Sequence, residues 1–448
     1  MVKNVLFSDA NHGGLVLMEE YSKYTHNNLF FYDVYDKLSE DERCDYSSRL
    51  NVTFLSLDDV LACEDSFVKI NPVHMPPLFG TDFTHHEFVS YLLDKKGFDR
   101  DIIGVTGVKG KSSVVWMIAN FLSDFNVVVL SSDGLFFNDE VLVDSLSITP
   151  ASIISAVNLL EERGLVESID YCIFEVSLGM IPNASVSVLT NIIEDYPICN
   201  GVGCASVAKK SVFESSSVLC DYSAFLNFYS GEDNVICVSL FDSAADIYAS
   251  NLELNFDKTR FKFHYCGVEY DFSCFALTDF YVNNLLFAIG VILLLGVDVE
   301  SIFCRVDRMI LPRGRGSCEI IGNNLVIEDI NPGLNTSSIR KCIDNVCSID
   351  EDYVLILGGD YGITCEEIDE EKLVDYLGGL NKEDIVYCGN LGNNIMKKVG
   401  NGGLFFESLD EAMCFCIDEN SDKTIQIVYR SEYNQNKSYL DKISESFH

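Results

Sequence analysis

The chain has 448 residues, 48% of them hydrophobic and 22% charged, which is enough for two or three folded domains and excludes a disordered chain. Its 69 acidic residues outnumber 31 basic ones and give a formal net charge of −38. Such a surface repels nucleic acid and anionic lipid, so neither nucleic acid nor a membrane is an expected partner.

The seventeen cysteines include no Cys-x-x-Cys pair, and no spacing between them is typical of a zinc site. Residues 1–9 have the pattern of a short strand and not of a signal peptide. Together these features predict free thiols in a reducing cytoplasm. The longest apolar run, residues 285–297, is too short to cross a bilayer and predicts a buried helix. The sequence leaves the oligomeric state open.

The first predicted domain covers residues 1–98 and alternates short strands with helices, as a small Rossmann-like domain does. A first strand ends in the turn Asp9-Ala10-Asn11-His12-Gly13-Gly14, and a later proline-rich loop carries His74. The predicted strands are 1–6, 29–34, 52–55 and 66–70, and the predicted helices are 15–24 and 84–95.

The second predicted domain, residues 99–316, has the pattern of a P-loop ATPase domain with an antiparallel annex at 235–275. Its predicted strands are 102–105, 127–131, 171–176 and 187–190, and its predicted helices include 113–124 and 282–295. The third predicted domain, residues 317–448, is a second, Rossmann-like open sheet. Its predicted strands are 325–329, 353–357, 384–388 and 424–428. The predicted fold class is therefore α/β, with three domains.

A glycine-rich loop joins strand 102–105 to the helix that follows it. Glycines let backbone N–H groups approach phosphates, and the helix N-terminus adds partial positive charge. Lys111 supplies a cation for the β- and γ-phosphates of ATP, and Ser112 offers a hydroxyl to Mg²⁺. An ordinary glycine-rich turn is the alternative, which Gly110-Lys111-Ser112 at a helix start disfavours. The predicted nucleotide-binding residues here are Thr106, Gly107, Lys109, Gly110, Lys111, Ser112 and Ser113.

The loop departs from the strict P-loop spacing, since its first glycine is Gly104 where that pattern requires one at 105. The form TGxxGK(S/T) is that of the Mur ligases and folylpolyglutamate synthases, and the chain resembles this family at further points along residues 100–360. These points are Glu175-Val176-Ser177, Thr190-Asn191, Ala208-Lys209 to Phe213, Phe280 to Leu286, Arg313-Gly314-Arg315 and Asp329.

The resemblance implies a role for each matching residue. Glu175 would bind the magnesium of ATP, and Lys209 would be carbamylated and help to hold a second Mg²⁺. Asn284 would meet the adenine. Arg315 would touch the γ-phosphate, and Asp329 would reach the nucleotide when the third domain swings onto it.

The chain departs from the peptidoglycan ligases in the part that binds the acceptor. No Asp-His pair follows Thr190-Asn191, and the segment 329–333 is altered. The histidine-bearing pieces of the first domain and Tyr196-Pro197-Ile198 resemble an archaeal branch of the family, the coenzyme F-430 synthetases. This resemblance implies a small-molecule substrate, a nickel tetrapyrrole acid.

We expect the first domain to receive a large, flat, acidic ring. Gly13 and Gly14 would offer backbone N–H groups to a carboxylate. The apolar face would consist of Met75, Phe79 and Phe83.

The branch also implies a mechanism. A propionate carboxylate attacks the γ-phosphate of ATP, and a carbon of the same molecule then attacks the acyl phosphate and closes a carbocycle. A carbon nucleophile needs a base, for which His12 and His74 are the candidates. Three alternatives stay open: an amide-forming ligase such as a pseudomurein peptide ligase, a tetrapyrrole-binding regulator without turnover, and a P-loop kinase. The third α/β domain disfavours the kinase.

Overall fold

The computed structural model describes residues 2–255, 258–274, 278–306, 309, 315–350, 352–362, 368–381, 384–400, 403–420 and 422–431. The described residues form two compact units. Unit 1 consists of the described residues within 1–250, 263–270 and 283–305, and unit 2 of those within 251–262, 271–282 and 306–448.

Unit 1 begins with a five-stranded parallel sheet in the order β3-β2-β1-β4-β5. The central strand is apolar on both faces, as a strand covered on both sides must be: Val5, Leu6 and Phe7 are all buried. The strands are β1 (Asn4–Ser8), β2 (Asn28–Tyr32), β3 (Val52–Phe54), β4 (Phe67–Asn71) and β5 (Phe83–Thr84). The helices are α1 (Gly14–Ser22), α2 (Glu40–Leu50), α3 (Leu57–Ala62) and α4 (His85–Lys96).

The second sheet has eleven strands in the order β18-β17-β16-β15-β14-β11-β6-β10-β7-β8-β9. The strands are β6 (Asp101–Thr106), β7 (Val127–Ser131), β8 (Gly134–Phe137), β9 (Glu140–Asp144), β10 (Tyr171–Glu175), β11 (Val186–Leu189), β14 (Ser217–Asp221), β15 (Val235–Ser239), β16 (Ile247–Glu253), β17 (Thr259–Tyr265) and β18 (Val268–Cys274). A separate short hairpin consists of β12 (Pro197–Ile198) and β13 (Gly203–Cys204). The antiparallel pairing of β7, β8 and β9 was missing from the sequence prediction.

The helices of this region are α5 (Lys111–Phe121), α6 (Pro150–Glu162), α7 (Ala205–Lys209), α8 (Tyr222–Ala224), α9 (Asp279–Leu294) and α10 (Val299–Val306). Helix α9 contains most of the long apolar run, and Leu285 to Ile289 are all buried, which confirms the predicted buried helix. Within the described ranges, no helix has the length and apolar character needed to span a membrane.

Within unit 1, the first sheet and strands β6 to β11 of the second share one hydrophobic core. Helices α1 and α4 from the first predicted domain pack against α6 of the second. Leu17, Leu92 and Ile153, one from each helix, are fully buried in the same cluster. The predicted boundary at residue 98 therefore falls inside one compact unit, and its position stays a proposal.

A buried ion pair joins these three helices. Glu20 on α1 accepts hydrogen bonds from Lys23 at 2.7 Å, from Lys96 at the end of α4 at 3.0 Å, and from Asn158 on α6 at 2.8 Å. Burial raises the pKa of Glu20, but the hydrogen bonds and the charge of Lys96 outweigh it and lower the pKa to about 2.

Unit 2 contains a six-stranded sheet in the order β19-β20-β24-β21-β22-β23, parallel except for the antiparallel edge strand β19. The strands are β19 (Arg315–Ile321), β20 (Asn324–Ile330), β21 (Tyr353–Gly359), β22 (Ile385–Cys388), β23 (Leu404–Phe406) and β24 (Thr424–Arg430). The helices are α11 (Thr336–Ile349), α12 (Glu370–Leu377), α13 (Gly389–Val399) and α14 (Leu409–Glu419), and a buried apolar cluster covers each face of the sheet. The predicted boundary at 316 lies within β19. The sequence also predicts a loop at 311–316, of which 311–314 lie outside the described residues and 315–316 begin β19.

Replacing Glu20 by Gln should destabilise the protein by roughly 3 kcal/mol, since a pKa lowered from 4.5 to about 2 measures the preference for the carboxylate. The stabilisation is complete above 4.5, the pKa of Glu20 in the unfolded chain, and is lost as the pH falls towards its pKa of about 2 in the folded protein. Urea unfolding of the wild type and of Glu20→Gln at pH 7 and pH 3 would measure both effects.

Glu19→Gln is the matched control, because the neighbouring Glu19 pairs with Arg49 at the surface with 40% of its side chain exposed. Equal losses of stability in Glu20→Gln and Glu19→Gln would contradict the structural role of the buried pair.

Candidate nucleotide and substrate site

The phosphate loop runs from the end of β6 to the start of α5. Gly107 has a φ of 145°, and a Cβ atom there would lie 2.0 Å from Thr190 Oγ1, so a side chain cannot be accommodated. Gly110 caps the helix in the left-handed conformation, with a φ of 85°. Lys111 and Ser112 are therefore the first residues of α5, where backbone N–H groups point out of the helix.

Thr190 and Asn191 clamp this loop from the end of β11. The Thr190 hydroxyl and the Asn191 amide both donate to the Lys109 carbonyl, at 2.6 and 3.0 Å. Asn191 Oδ1 accepts the Lys109 N–H at 3.0 Å, and the Asn191 carbonyl accepts the Val108 N–H at 3.1 Å. The sequence marked this pair only as a point of resemblance to the family, whereas the structure shows that it fixes the loop's backbone.

The proposed magnesium residues meet at the carboxyl ends of β7 and β10. Glu175, the last residue of β10, lies 3.9 Å from Lys111 Nζ and accepts the Ser132 N–H at 3.2 Å. The Ser132 hydroxyl is 3.2 Å from that of Ser112. Sequence reasoning missed Ser132, although a polar residue after an apolar strand in this region is the signal that could have identified it.

Lys209 lies at the end of α7 with 1% of its surface exposed, and its amine is 3.2 Å from Thr106 Oγ1 on β6. Burial and the charge of Lys111, opposed by Glu175, lower the pKa of Lys209 to about 7. Asp195 accepts the Ser206 N–H at 2.7 Å and its hydroxyl at 2.8 Å, and so fixes the first turn of α7. This acidic residue holds the helix that positions Lys209, in the stretch where the family's histidine is absent.

Asn284 on α9 is fully buried, and neither atom of its amide has a hydrogen-bond partner among the described residues. A buried amide without partners is costly, so this residue is suited to binding a polar ligand edge. In unit 2, Asp329 lies near the end of β20 and accepts a hydrogen bond from Gln426 at 3.0 Å. The Arg315 backbone pairs with Asp329 on β20, while its side chain lies outside the described structure. Their roles in nucleotide binding stay predictions.

His12 and His74 come together in the first domain around Asp9. Asp9 Oδ2 lies 2.6 Å from His12 Nδ1 and 3.2 Å from His74 Nε2, and the two nitrogens are 2.9 Å apart. Asp9 is fully buried and has a φ of 71°. Burial raises its pKa, but the two histidines and the Asn11 N–H outweigh burial and hold the pKa well below its usual value.

The turn that carries His12 differs from the expectation at Gly14. The Gly14 N–H donates to the Asp9 carbonyl at 2.9 Å, so it is not available to a substrate carboxylate. A Cβ at Gly13 would lie 2.2 Å from Ala151 Cβ, and one at Gly14 would lie 2.2 Å from the Ser8 carbonyl. The two glycines therefore permit close packing of the turn.

A cavity of about 570 Å³ lies in unit 1 between the loop that follows β4 and the hairpin β12–β13 with α7. Met75 and Phe79 line it as expected, but Phe83 does not and is 39% exposed. Its apolar wall includes Ile198, Val202, Val207 and Phe213, and its polar wall includes His86, Glu87, Lys210, Glu214 and Glu232. Burial lowers the pKa of His86 to about 4, so this histidine is neutral at pH 7.

The fold is that of the Mur ligases. The MurF structure from Acinetobacter baumannii superposes with a TM-score of 0.62 at 15% sequence identity, over 87% of this chain and 88% of that one. This likeness confirms the predicted α/β fold class with its three-domain architecture.

Sequence comparison narrows the class to one family. Coenzyme F(430) synthetase of Methanocaldococcus jannaschii is 30% identical over 92% of this chain and 96% of its own length. Coenzyme F(430) synthetase of Methanosarcina acetivorans is 30% identical over 46% of each chain. The family model for the C-terminal domain of coenzyme F430 synthetase CfbE matches residues 318–432. The chain belongs to the coenzyme F430 synthetase family and is an ATP-dependent ligase.

Replacing Asn191 by Ala removes two hydrogen bonds that hold Lys109 in the phosphate loop. We expect ATP binding to weaken by up to about thirtyfold, since two bonds of about 1 kcal/mol each are lost, while the fold is kept. Titration with a non-hydrolysable ATP analogue would measure this change.

Asn227→Ala is the control, because Asn227 is exposed and its amide donates to the Ser223 hydroxyl at 3.4 Å. Unchanged nucleotide affinity in Asn191→Ala would rule out the clamp as a determinant of loop geometry.

Proposed function

We propose that this ligase uses ATP and Mg²⁺ to convert a carboxylate of a nickel tetrapyrrole acid into an acyl phosphate, and then closes a carbocyclic ring on the same molecule. The product would be coenzyme F-430, with release of ADP and phosphate. The observation that carries the proposal is the position of α7. Lys209 on this helix reaches Thr106 next to the phosphate loop, while Ala208 and Lys210 line the cavity.

The residues present fit ATP. The loop has the glycines and helix start that phosphates need, and Lys111 can place its charge on the transferred phosphoryl group. The buried Asn284 amide has polar atoms without partners, as the predicted contact with adenine requires.

The donor set also fits magnesium, which prefers oxygen ligands. Ser112 and Glu175 would hold the ion of ATP, and a carbamate on Lys209 would hold a second one. Bound there, magnesium neutralises charge on the phosphoryl oxygens. Lys111 stabilises the same developing charge from the helix start.

The cavity fits the ring of the substrate better than it fits the substituent carboxylates. Its volume of about 570 Å³ and its apolar wall suit the face of a large flat ring. Three glutamates line it, and the lining cation Lys210 is paired with one of them, Glu232, at 2.9 Å. We therefore propose that the substituent carboxylates point away from these glutamates and that the reacting one points towards α7.

Ring closure needs a carbanion equivalent, formed when a base removes a proton next to an activating group. The carbon then attacks the acyl phosphate, a C–C bond forms, and phosphate leaves. His12 and His74 stay the predicted bases. His74 stands between Val73 and Met75, both of which line the cavity, so it adjoins the proposed ring site.

The decisive experiment is to incubate the protein with ATP, Mg²⁺ and the nickel tetrapyrrole acid. We expect phosphate release and a product lighter than the acid by one water, because C–C bond formation from an acid and a C–H bond removes water. Lys111→Ala should fold normally and release no phosphate, since the charge on the transferred group is lost. Lys37→Ala, which removes an exposed lysine in the first domain, should behave as wild type.

Two results would overturn the assignment. Release of ADP that depends on an added amino acid, with an amide product, would identify an amide-forming ligase. Tight binding of a uridine diphosphate sugar, with no spectral change on adding the tetrapyrrole, would identify a cell-wall ligase.

Carbamylation of Lys209 requires its neutral amine. A pKa lowered from 10.5 to about 7 raises the neutral fraction at pH 7 from about 0.03% to about half. Phosphate release limited by the carbamate should therefore rise with pH through about 7 and respond to added bicarbonate. Lys209→Ala should be inactive and should be partly rescued by a short-chain carboxylic acid.

Lys210→Ala is the neighbouring control, since the Lys210 side chain is exposed. The activity of this variant should not respond to the short-chain carboxylic acid. Full activity of Lys209→Ala without any acid would dismiss the carbamate.

A further inference from the structure

Three side chains of the first domain bring one carboxylate oxygen and two imidazole nitrogens close together. Asp9 follows β1, His12 precedes α1, and His74 lies in the loop after β4. The three contacts between Asp9 Oδ2, His12 Nδ1 and His74 Nε2 measure 2.6, 2.9 and 3.2 Å. Among the described residues, Asp9, His12 and His74 are a group whose carboxylate and imidazole atoms lie close enough together to share a metal ion.

Hydrogen bonds cannot account for all three of these contacts at the same time. A hydrogen bond needs one proton between its two heavy atoms, and each imidazole nitrogen carries at most one. If both nitrogens donate to Asp9 Oδ2, no proton lies between the nitrogens. If one nitrogen donates to the other, the acceptor nitrogen has no proton for Asp9. At least one contact always joins two atoms without a proton, whereas a cation at the centre attracts all three lone pairs.

The dimensions match metal coordination. Nitrogen and oxygen ligands lie about 2.0–2.2 Å from a divalent transition ion, and two such ligands at right angles are about 2.9 Å apart. The three observed contacts, of 2.6, 2.9 and 3.2 Å, are centred on this distance. Two histidines and one carboxylate on one face are a known donor set for such ions and leave other coordination positions open.

The surroundings hold the carboxylate in place. The Asn11 N–H donates to Asp9 Oδ1 at 2.8 Å, which leaves Oδ2 for the histidines. The Asp9 N–H donates to the Tyr32 carbonyl at 3.1 Å, and the Asp9 carbonyl accepts from Gly14 at 2.9 Å, so its left-handed backbone is fixed on both sides. Such support from outside the ligand set is typical of metal sites. The His12 side chain is 36% exposed, so an ion can enter from solvent.

We propose that Asp9, His12 and His74 bind a divalent transition-metal ion such as zinc, cobalt or nickel. The mixed nitrogen and oxygen set disfavours Mg²⁺ and Ca²⁺, which prefer oxygen ligands alone. This site is separate from the proposed magnesium residues at Ser112 and Glu175. It uses the same lone pairs that the predicted base would need, so metal binding and the base role of the histidines exclude each other.

The test is a titration of the full-length, chelator-stripped protein with Co²⁺, in excess Mg²⁺ and without ATP or tetrapyrrole. We expect one equivalent of Co²⁺ to bind, with visible absorption bands of a nitrogen- and oxygen-bound ion and a rise in Tm. His12→Ala and His74→Ala should bind at least about tenfold more weakly, since even the loss of an outer contact costs that much. Asp9→Asn should bind Co²⁺ similarly weakly. Because asparagine tolerates the left-handed backbone at this position, this variant keeps the test valid if the alanine variants fold poorly.

His26→Ala is the matched control, because His26 is exposed in the same domain and outside the cluster. Its Co²⁺ affinity should equal that of the wild type. The proposal is overturned if the wild type binds no stoichiometric Co²⁺, a result that would favour the base role of the histidines. It is also overturned if the affinity is unchanged in both histidine variants, or if a thiolate-to-cobalt charge-transfer band shows that cysteines bind the ion. None of these outcomes depends on the ligase reaction, which is measured separately.

Discussion

The nucleotide site depends on the parallel pairing of β6 with its two neighbours. The register places Val105 beside Glu175 on one side and Thr106 beside Leu189 on the other. Because parallel strands end at the same edge of a sheet, the phosphate loop, the carboxylate of Glu175 and the Thr190–Asn191 clamp all start from that edge. A change of register by one residue would turn Glu175 to the other face and separate it from Lys111.

The shared core of unit 1 extends this constraint to the substrate side. Helices α1, α4 and α6 bury apolar side chains against both sheets, and the Glu20 ion pair adds hydrogen bonds among the same three helices. The cavity has one wall from each predicted domain, so its shape depends on this packing. The first domain is thus attached to the ATPase domain through a core, which suits a reaction in which an acyl phosphate must meet its acceptor without water.

Local electrostatics oppose the charge of the whole chain. A net charge of −38 repels ATP and acidic substrates at long range, but solvent ions screen that field beyond about 8–10 Å. Within the site, Lys111 and the start of α5 supply positive charge close to where phosphates would bind. Burial brings the pKa of Lys209 to about 7, which makes its amine available for chemistry that an exposed lysine would not perform.

The sequence by itself determined the α/β class and the family, because these depend on local patterns: apolar strands and short ordered motifs. It also predicted the phosphate loop, from glycines at a turn between a strand and a helix. It placed β6, β7 and β10 within a residue or two of their observed bounds, but it missed the hairpin β8–β9 and the edge strands β19 and β23. Only the tertiary structure decided that Asp9 joins His12 and His74, since 62 residues separate the two histidines. It also decided that Thr190 and Asn191 clamp Lys109 and that Lys209 is buried. Distances between side chains from distant segments, and the desolvation that shifts a pKa, arise from packing and so have no local pattern in the sequence.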